Sequence, residues 1–127
     1  MDDKELIRRA TDVLNPRSLS PTVEVGHVGS ALVTDKGNVY VGVCIDAACG
    51  IGFCAEHNAI GNMITHGESA ITSIVAVGRE KNILPPCGRC RELIYQIDPY
   101  NAETRVLMRD GMIKRLKELL PERWTEL

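Results

Sequence analysis

The sequence predicts an α/β fold, a three-layer α/β/α sandwich with a mixed, mainly parallel sheet of five strands. Three observations predict this fold. Segments with apolar residues at helical spacing alternate along the chain with short β-branched segments. Residues 70–77 are almost continuously apolar, which is typical of a central strand covered on both faces. The turn sequence at 35–38, Asp-Lys-Gly-Asn, separates two apolar segments and predicts one antiparallel hairpin.

The first half of the chain opens with a predicted helix over residues 2–14, where apolar residues recur every three or four positions. An Asn-Pro pair ends this helix, because the residue before a proline disfavours helical backbone. Residues 17–22 are polar and are predicted to form a loop. Residues 28–33 and 39–45 are the two predicted strands of the hairpin.

The second half alternates helices with strands, as parallel crossovers require. In chain order the predicted elements are a helix over 54–66, a strand over 70–77, a loop over 79–86, a helix over 88–97, a strand over 104–108, and a strand or helix over 113–120. Helices on both faces of one sheet follow from this order, and no linker or repeat interrupts it. We therefore expect a single domain, 1–127.

Composition excludes several classes of function. The chain has 127 residues and a formal net charge of -2, without a basic stripe, so we expect no nucleic-acid partner. No apolar run reaches the roughly 20 residues that cross a bilayer, and the acidic N-terminus has no signal-peptide core. We expect a cytoplasmic protein with a small-molecule partner and no membrane contact.

Five cysteines point to metal or catalysis, because disulfides are rare in a reducing compartment. Cys87 and Cys90 form a C-x-x-C pair at the predicted start of a helix, where free N–H groups and the helix dipole favour thiolates. By itself this pair fits half of a structural zinc site, or a redox pair, equally well.

The segment Cys54-Ala55-Glu56 adds a third cysteine at the start of another predicted helix. If both helices follow parallel strands, their N-termini lie together at the carboxyl edge of the sheet, where ligands bind. Cys54, Cys87 and Cys90 would then hold one Zn²⁺ with a fourth position left open, which is typical of a catalytic site. Glu56 is the candidate for proton transfer at that position.

The motifs C-A-E at 54–56 and P-C-G-R-C-R-E at 86–92 resemble the cytidine deaminase family, and most closely its blasticidin-S deaminase branch. Segments 28–32, 74–78 and 118–121 are similar to that family as well, so the resemblance covers most of the chain. It implies hydrolytic deamination of a cytosine nucleoside, cytidine, deoxycytidine or an analogue such as blasticidin S, with release of ammonia. It also implies a homotetramer with composite active sites.

The resemblance assigns further residues to the site. Ala55 is expected to contact the substrate, and Trp124, the aromatic after L-L-P, to stack on the base across a subunit interface. The family reads ribose with N-x-E, for which this chain has Cys44 and Asp46, so ribose recognition is altered. Members of the family commonly have an arginine directly after C-A-E, and this chain has His57 at that position. Arg89 is therefore the candidate that offsets the thiolate charge.

Two other functions stay open at this level. A non-catalytic zinc module would need a fourth protein ligand, for which Cys49 and His57 are the nearby candidates. A redox role would need the C-x-x-C pair to be free of metal.

One more position departs from the family pattern. The aromatic residue that the family has two residues before V-G-x-A is Gly26 here, and His27 follows it. This change leaves more room at the mouth of the site, or provides a polar contact there.

Overall fold

The structure is a computed structural model that describes residues 1–126; residue 127, the last of the predicted domain, lies outside the described residues. Residues 1–126 contain four α-helices: α1 Asp3–Asp12, α2 Ala55–Thr65, α3 Gly88–Ile97 and the short α4 Leu116–Leu119. The same residues contain six strands: β1 Arg17–Ser20, β2 Val23–Thr34, β3 Val39–Ala47, β4 Ile71–Gly78, β5 Arg105–Leu107 and β6 Ile113–Arg115. No helix among the described residues is long and apolar enough to cross a membrane.

The sheet is five strands wide, in the order β3-β2-β4-β5-β6. Short β1 pairs with the first residues of β2, on the edge that β4 occupies further along. Among the described strands, only β4 and β5 are parallel neighbours, and every other pairing is antiparallel. The sheet is therefore mixed, as expected, but the expectation that it is mainly parallel is wrong.

The order of the strands explains this difference. The β2–β3 hairpin places β2 between β3 and β4, and β2 is antiparallel to both. Strands β3, β4 and β5 consequently point the same way, and α2 crosses over β2 to join β3 to β4. The crossover is the predicted one, yet the strands that it joins are not neighbours. Their carboxyl ends still lie at one edge of the sheet.

Side chains that alternate along the strands fill two cores, which confirms the three layers. On one face, Leu32 and Ile74 pack against α2 and α3 through Ile60, Met63 and Ile94. On the other face, Ala31, Val33, Val75 and Val77 pack against α1 through Leu6 and Ala10. Strand β4 is buried on both faces, as its continuous apolar run predicts.

The region before the hairpin differs most from the prediction. Residues 17–20, predicted as loop, form β1, and β2 begins at Val23 rather than at residue 28. The alternation of apolar residues fails there because β2 contains a bulge between Val25 and Gly29. Gly26 lies in this bulge with φ +82°, and a Cβ atom there would lie 2.2 Å from the Asn15 carbonyl oxygen. Only glycine fits this position.

Candidate active site

Two connections fold back in the same way and bring two helix starts together. After β3, the chain returns so that Phe53 pairs with Ile45, and α2 begins directly afterwards. After β4, the chain returns so that Ile83 pairs with Val77, and the segment leads into α3. Since β3 and β4 point the same way, both helices start at the same edge of the sheet.

The residue at the N-cap of each helix is a cysteine. Cys54 caps α2 and Cys87 caps α3, both with extended backbone. Serine or aspartate is the usual choice at this position, because its oxygen accepts a backbone N–H. A cysteine sulfur accepts such a bond only weakly, and here the two sulfurs contact each other in front of the helices.

Three sulfur atoms form a close cluster. Cys54 Sγ lies 3.4 Å from Cys87 Sγ, and Cys87 Sγ lies 3.5 Å from Cys90 Sγ. The Cys54 and Cys90 sulfurs are within 4.8 Å of each other. Tetrahedral zinc with Zn–S bonds of about 2.3 Å needs sulfurs about 3.8 Å apart. The donor set and its spacing fit Zn²⁺.

The three thiols have different electrostatic environments. Burial is the main cause that raises the pKa of Cys54, and it raises the pKa of Cys90 far above the ordinary value. Burial would also raise the pKa of Cys87, but hydrogen bonds from the Cys90 N–H, the other two thiols and the Arg89 N–H lower it on balance. Only a metal cation would let all three ionise together, because one thiolate raises the pKa of the next.

Glu56 lies in the first turn of α2 and is only 5% exposed. Burial raises the pKa of its carboxyl group, and hydrogen bonds from its own backbone N–H and from the Cys90 thiol offset part of that shift. Like a general acid–base, this carboxyl is buried beside the candidate metal ligands and has a pKa moved toward neutrality.

A cavity of about 490 Å³ opens in front of the two helix starts. The residues that line it include most of the site that the sequence predicts: Cys44, Asp46, Cys54, Ala55, Glu56, Cys87 and Arg89. Cys90 is fully buried behind the other sulfurs. Trp124 does not line this cavity; its side chain is 85% exposed, and its backbone N–H donates to Glu92 Oε1 at 2.7 Å.

The side chain of Cys44 is bonded within the fold and is not free to bind a ligand. It is buried, and its sulfur accepts a hydrogen bond from the Val28 N–H at 3.3 Å. Asp46 Oδ2 is 3.9 Å from the same sulfur, and the Asp46 residue is exposed. Of this pair, Asp46 has the polar group that is available to a ligand.

His57 lies beside the sulfurs, where the sequence made it a candidate fourth ligand, but its contact with Cys90 was not predicted. Its Nδ1 lies 3.4 Å from Cys90 Sγ, and its donor atom is within 4.8 Å of both the Cys54 and the Cys90 sulfurs. Within residues 1–126, no hydrogen bond joins the Arg89 guanidinium to a sulfur. The signal was the three-residue spacing from Cys54, which puts His57 on the same side of α2. Burial, and secondarily the charge of Arg89, lowers the pKa of His57.

Comparisons with known sequences agree with this geometry. Residues 1–104 match the family described as the cytidine and deoxycytidylate deaminase zinc-binding region. A blasticidin-S deaminase from Bacillus cereus is 34% identical over 109 residues, which cover 78% of this chain and 77% of that protein. A cytidine deaminase from Halalkalibacterium halodurans is 34% identical over 103 residues, covering 77% of this chain and 76% of the relative.

Solved structures share the whole fold. The cytidine deaminase from Mycobacterium tuberculosis superposes with a TM-score of 0.83 at 24% identity, over 99% of both chains. The cytidine deaminase from Burkholderia pseudomallei has a TM-score of 0.78 at 25% identity, over 98% of this chain and 100% of that one. The arrangement of sheet and helices is thus common to these proteins at low sequence identity.

Proposed function

The chain belongs to the family of the cytidine and deoxycytidylate deaminase zinc-binding region, and from this premise we propose that it deaminates a cytosine nucleoside by zinc-dependent hydrolysis. The observation that carries the proposal is the meeting, at one cavity, of three sulfurs from two helix starts and one buried carboxyl group. The products are the corresponding uracil nucleoside and ammonia.

Cys54, Cys87 and Cys90 are the residues that would hold the zinc. When bound at such a site, zinc makes water acidic enough to act as a nucleophile near neutral pH. The sulfurs of Cys54 and Cys87 line the cavity, so a substrate can approach the cluster from that side. The two helix N-termini face the same cluster and offset part of its negative charge.

Glu56 moves the protons in the proposed reaction. Its carboxylate takes a proton from the attacking water as the oxygen bonds to C4 of the cytosine ring, and passes that proton to N3. A second proton then reaches the amino group, the C4–N bond breaks, and ammonia leaves. One group serves first as base and then as acid, which requires the raised pKa that burial produces.

The excess charge of three thiolates needs a donor in direct contact with a sulfur. The imidazole of His57, 3.4 Å from Cys90 Sγ, supports His57 in this role, which the sequence assigns to Arg89. Arg89 lines the cavity, and its backbone N–H donates a hydrogen bond to Cys87 that lowers the pKa of that thiol. If this division holds, His57→Ala lowers zinc affinity more than Arg89→Ala does, and competition with a chelator measures the difference.

The substrate class is a cytosine nucleoside, either cytidine or deoxycytidine or a modified form such as blasticidin S. Cys44 supports an altered sugar site, because its sulfur is already bonded to the Val28 N–H. Asp46 remains as a carboxylate that accepts sugar hydroxyls, and Ala55 lines the cavity at the start of α2. Turnover of cytidine, deoxycytidine and blasticidin S, compared at equal enzyme concentration, ranks the three.

We propose that one domain, residues 1–127, acts in the cytoplasm as part of a homotetramer. The exposure of Trp124, far above that of an ordinary tryptophan, supports a position against another subunit. In such an assembly Trp124 would stack on the base bound by a neighbour. Sedimentation equilibrium gives the assembly state, and Trp124→Ala should raise KM without changing zinc content.

Glu56→Gln tests the catalytic assignment. The variant should keep zinc and its melting temperature while losing at least about 10³-fold in kcat, because the proton carrier is gone. Glu68→Gln is the matched control, since Glu68 is also buried but lies beyond the other end of α2. Loss of cytosine absorbance measures turnover. Wild-type turnover in the Glu56 variant would refute the mechanism.

A non-catalytic zinc module is the second candidate, and the position of His57 is the observation that favours it. A nitrogen 3.4 Å from one sulfur is close enough to act as a fourth ligand. Against this reading, His57 is not among the residues that line the cavity, whereas Glu56, Cys54 and Cys87 are. A zinc-loaded protein that deaminates no cytosine compound, and loses its metal in His57→Ala, would establish the module instead.

A further inference from the structure

The wall of the cavity near its mouth contains a histidine that the reaction does not use. His27 lines the cavity together with Cys44 and Asp46. It lies in the bulge of β2, where the extra backbone turn at Gly26 interrupts the alternation of side chains. The family resemblance leads us to expect an aromatic residue at position 26. This chain has glycine there, and the bulge places the imidazole of the next residue, His27, in the cavity wall.

The ring of His27 is held in one orientation. Its Nε2 lies 2.9 Å from Glu24 Oε1, and the Glu24 side chain is 59% exposed. This contact fixes the end of the ring that reaches the surface. In the neutral ring, Nε2–H donates to the Glu24 carboxylate, and the other nitrogen, Nδ1, keeps its lone pair as an acceptor.

Nδ1 of His27 has no hydrogen-bond partner anywhere in residues 1–126, although it is buried. Buried polar atoms are nearly always paired, and an unpaired one in a site points to a partner outside the chain. The neighbouring sulfur of Cys44 is not in the same state, because it accepts the Val28 N–H. Nδ1 is covered by neighbouring atoms, so a ligand group that bonds to it must open the cavity wall at His27, but this displaces no protein donor.

The position along the cavity indicates which part of the ligand lies here. The cytosine ring must bring C4 to Glu56, which is buried at the inner end. The sugar then extends toward the opening, where the exposed Glu24 and Asp46 lie opposite each other on β2 and β3. His27, bonded to Glu24, is on this outer side.

We propose that His27 is a specificity-determining residue whose Nδ1 hydrogen-bonds a hydroxyl group on the sugar of the nucleoside. The inference rests on the proposed function and deepens it. Asp46 supplies a second acceptor for the sugar from the facing strand. The pair takes over the sugar contacts that an amide at position 44 would otherwise make.

His27→Phe tests the proposal, because phenylalanine keeps the size of the ring and removes both nitrogens. The measured quantity is kcat/KM for cytidine and for 1-methylcytosine, which has the base without the sugar. In the variant, kcat/KM for cytidine should fall roughly 2- to 12-fold, mostly through a higher KM, because one ordinary hydrogen bond contributes that much. Turnover of 1-methylcytosine should change by less than about twofold.

Two further variants control the measurement. His66→Phe makes the same change at the end of α2, where Nδ1 contacts the Asn62 carbonyl, and should affect neither compound. His27→Asn places an amide where Nδ1 stands and should recover part of the loss on cytidine. If His27→Phe folds poorly, His27→Asn takes its place in the same comparison of cytidine with 1-methylcytosine.

Deoxy analogues identify the hydroxyl group. Among 2′-deoxycytidine and 3′-deoxycytidine, the compound that lacks the contacted group should be insensitive to His27→Phe. An equal loss on cytidine and 1-methylcytosine, or no loss on cytidine, would overturn the proposal.

Failure of the proposed function has a different signature. If the wild-type protein deaminates none of the compounds, calorimetric binding replaces turnover. A cytidine affinity that falls in His27→Phe while that of 1-methylcytosine does not would still support the contact. Equal affinities of wild type and variant for cytidine would overturn it.

Discussion

A methyl group added at Gly42 should separate α2 from the strand on which it rests. Gly42 is buried in β3, and a Cβ atom built there would lie 2.4 Å from the backbone nitrogen of Ala59 and 2.8 Å from Asn58. Ordinary contact begins at 3.4 Å, so in Gly42→Ala the helix must move outward by about 1 Å. The contact is with helix backbone, which cannot rotate away.

The cost of this displacement has two parts. Overpacking of a buried contact destabilises by about 1–3 kcal/mol, which lowers Tm by roughly 4–12 °C in a chain of this size. The same helix positions Cys54 and Glu56 against α3. A misplacement of about 1 Å at reacting groups costs about 10²-fold in rate, so the loss of kcat should exceed what the loss of stability explains.

Gly61→Ala is the matched control on the same helix. Gly61 is exposed, and a Cβ atom there would meet nothing within 4 Å. The variant should gain about 0.5–1 kcal/mol, because alanine is the better helix former, with unchanged turnover. Thermal melting, zinc per chain and kcat are measured for both variants. Wild-type values of all three in Gly42→Ala would refute the reasoning.

Three further changes have definite expected outcomes. Asn101→Ala removes hydrogen bonds to the Ile71 N–H and to two buried or half-buried carbonyls, and should cost about 3 kcal/mol in chemical denaturation. Several contacts lower the pKa of Glu68, and the hydrogen bond from Tyr40 is the largest of them. The Glu68 carboxylate therefore stabilises the fold at pH values above its unfolded pKa of about 4.3. That stabilisation is lost as the pH falls through the lower pKa of the folded state. Wild type should therefore lose more Tm than Glu68→Gln between pH 7 and 3, and parallel curves would contradict the assignment. Cys87→Ser should lose zinc and Tm together, because metal binding is coupled to folding, while Cys49→Ser, at an exposed cysteine, should lose neither.

Local patterns were enough to predict most elements and several of the residues that line the cavity. The C-A-E and P-C-G-R-C motifs predict helix starts, and Cys54 and Cys87 are the N-caps of α2 and α3. The continuous apolar run of β4 predicts burial on both faces, which the two cores confirm. These features depend on residues within a few positions of each other, so sequence spacing determines them.

Contacts between distant segments were not predictable in the same way. The sequence does not tell that β2 lies between β3 and β4, because strand pairing depends on which edges meet in space. The bulge at Gly26 hides the start of β2 for a related reason, since its cause is the Asn15 carbonyl on another segment. Cys44 illustrates the limit at a single residue: its partner is a backbone N–H sixteen positions away.

The sequence by itself determined the α/β class and the motifs of a zinc-binding family, and it predicts a three-cysteine zinc set with one glutamate, because helix starts and ligand spacings are local properties. Tertiary structure alone decided that the sheet is mostly antiparallel, that His57 contacts Cys90, and that His27 lines the cavity with a nitrogen unpaired within residues 1–126. Those three facts depend on how separate segments of the chain approach one another. Packing of the whole chain, rather than any stretch of it, sets such distances.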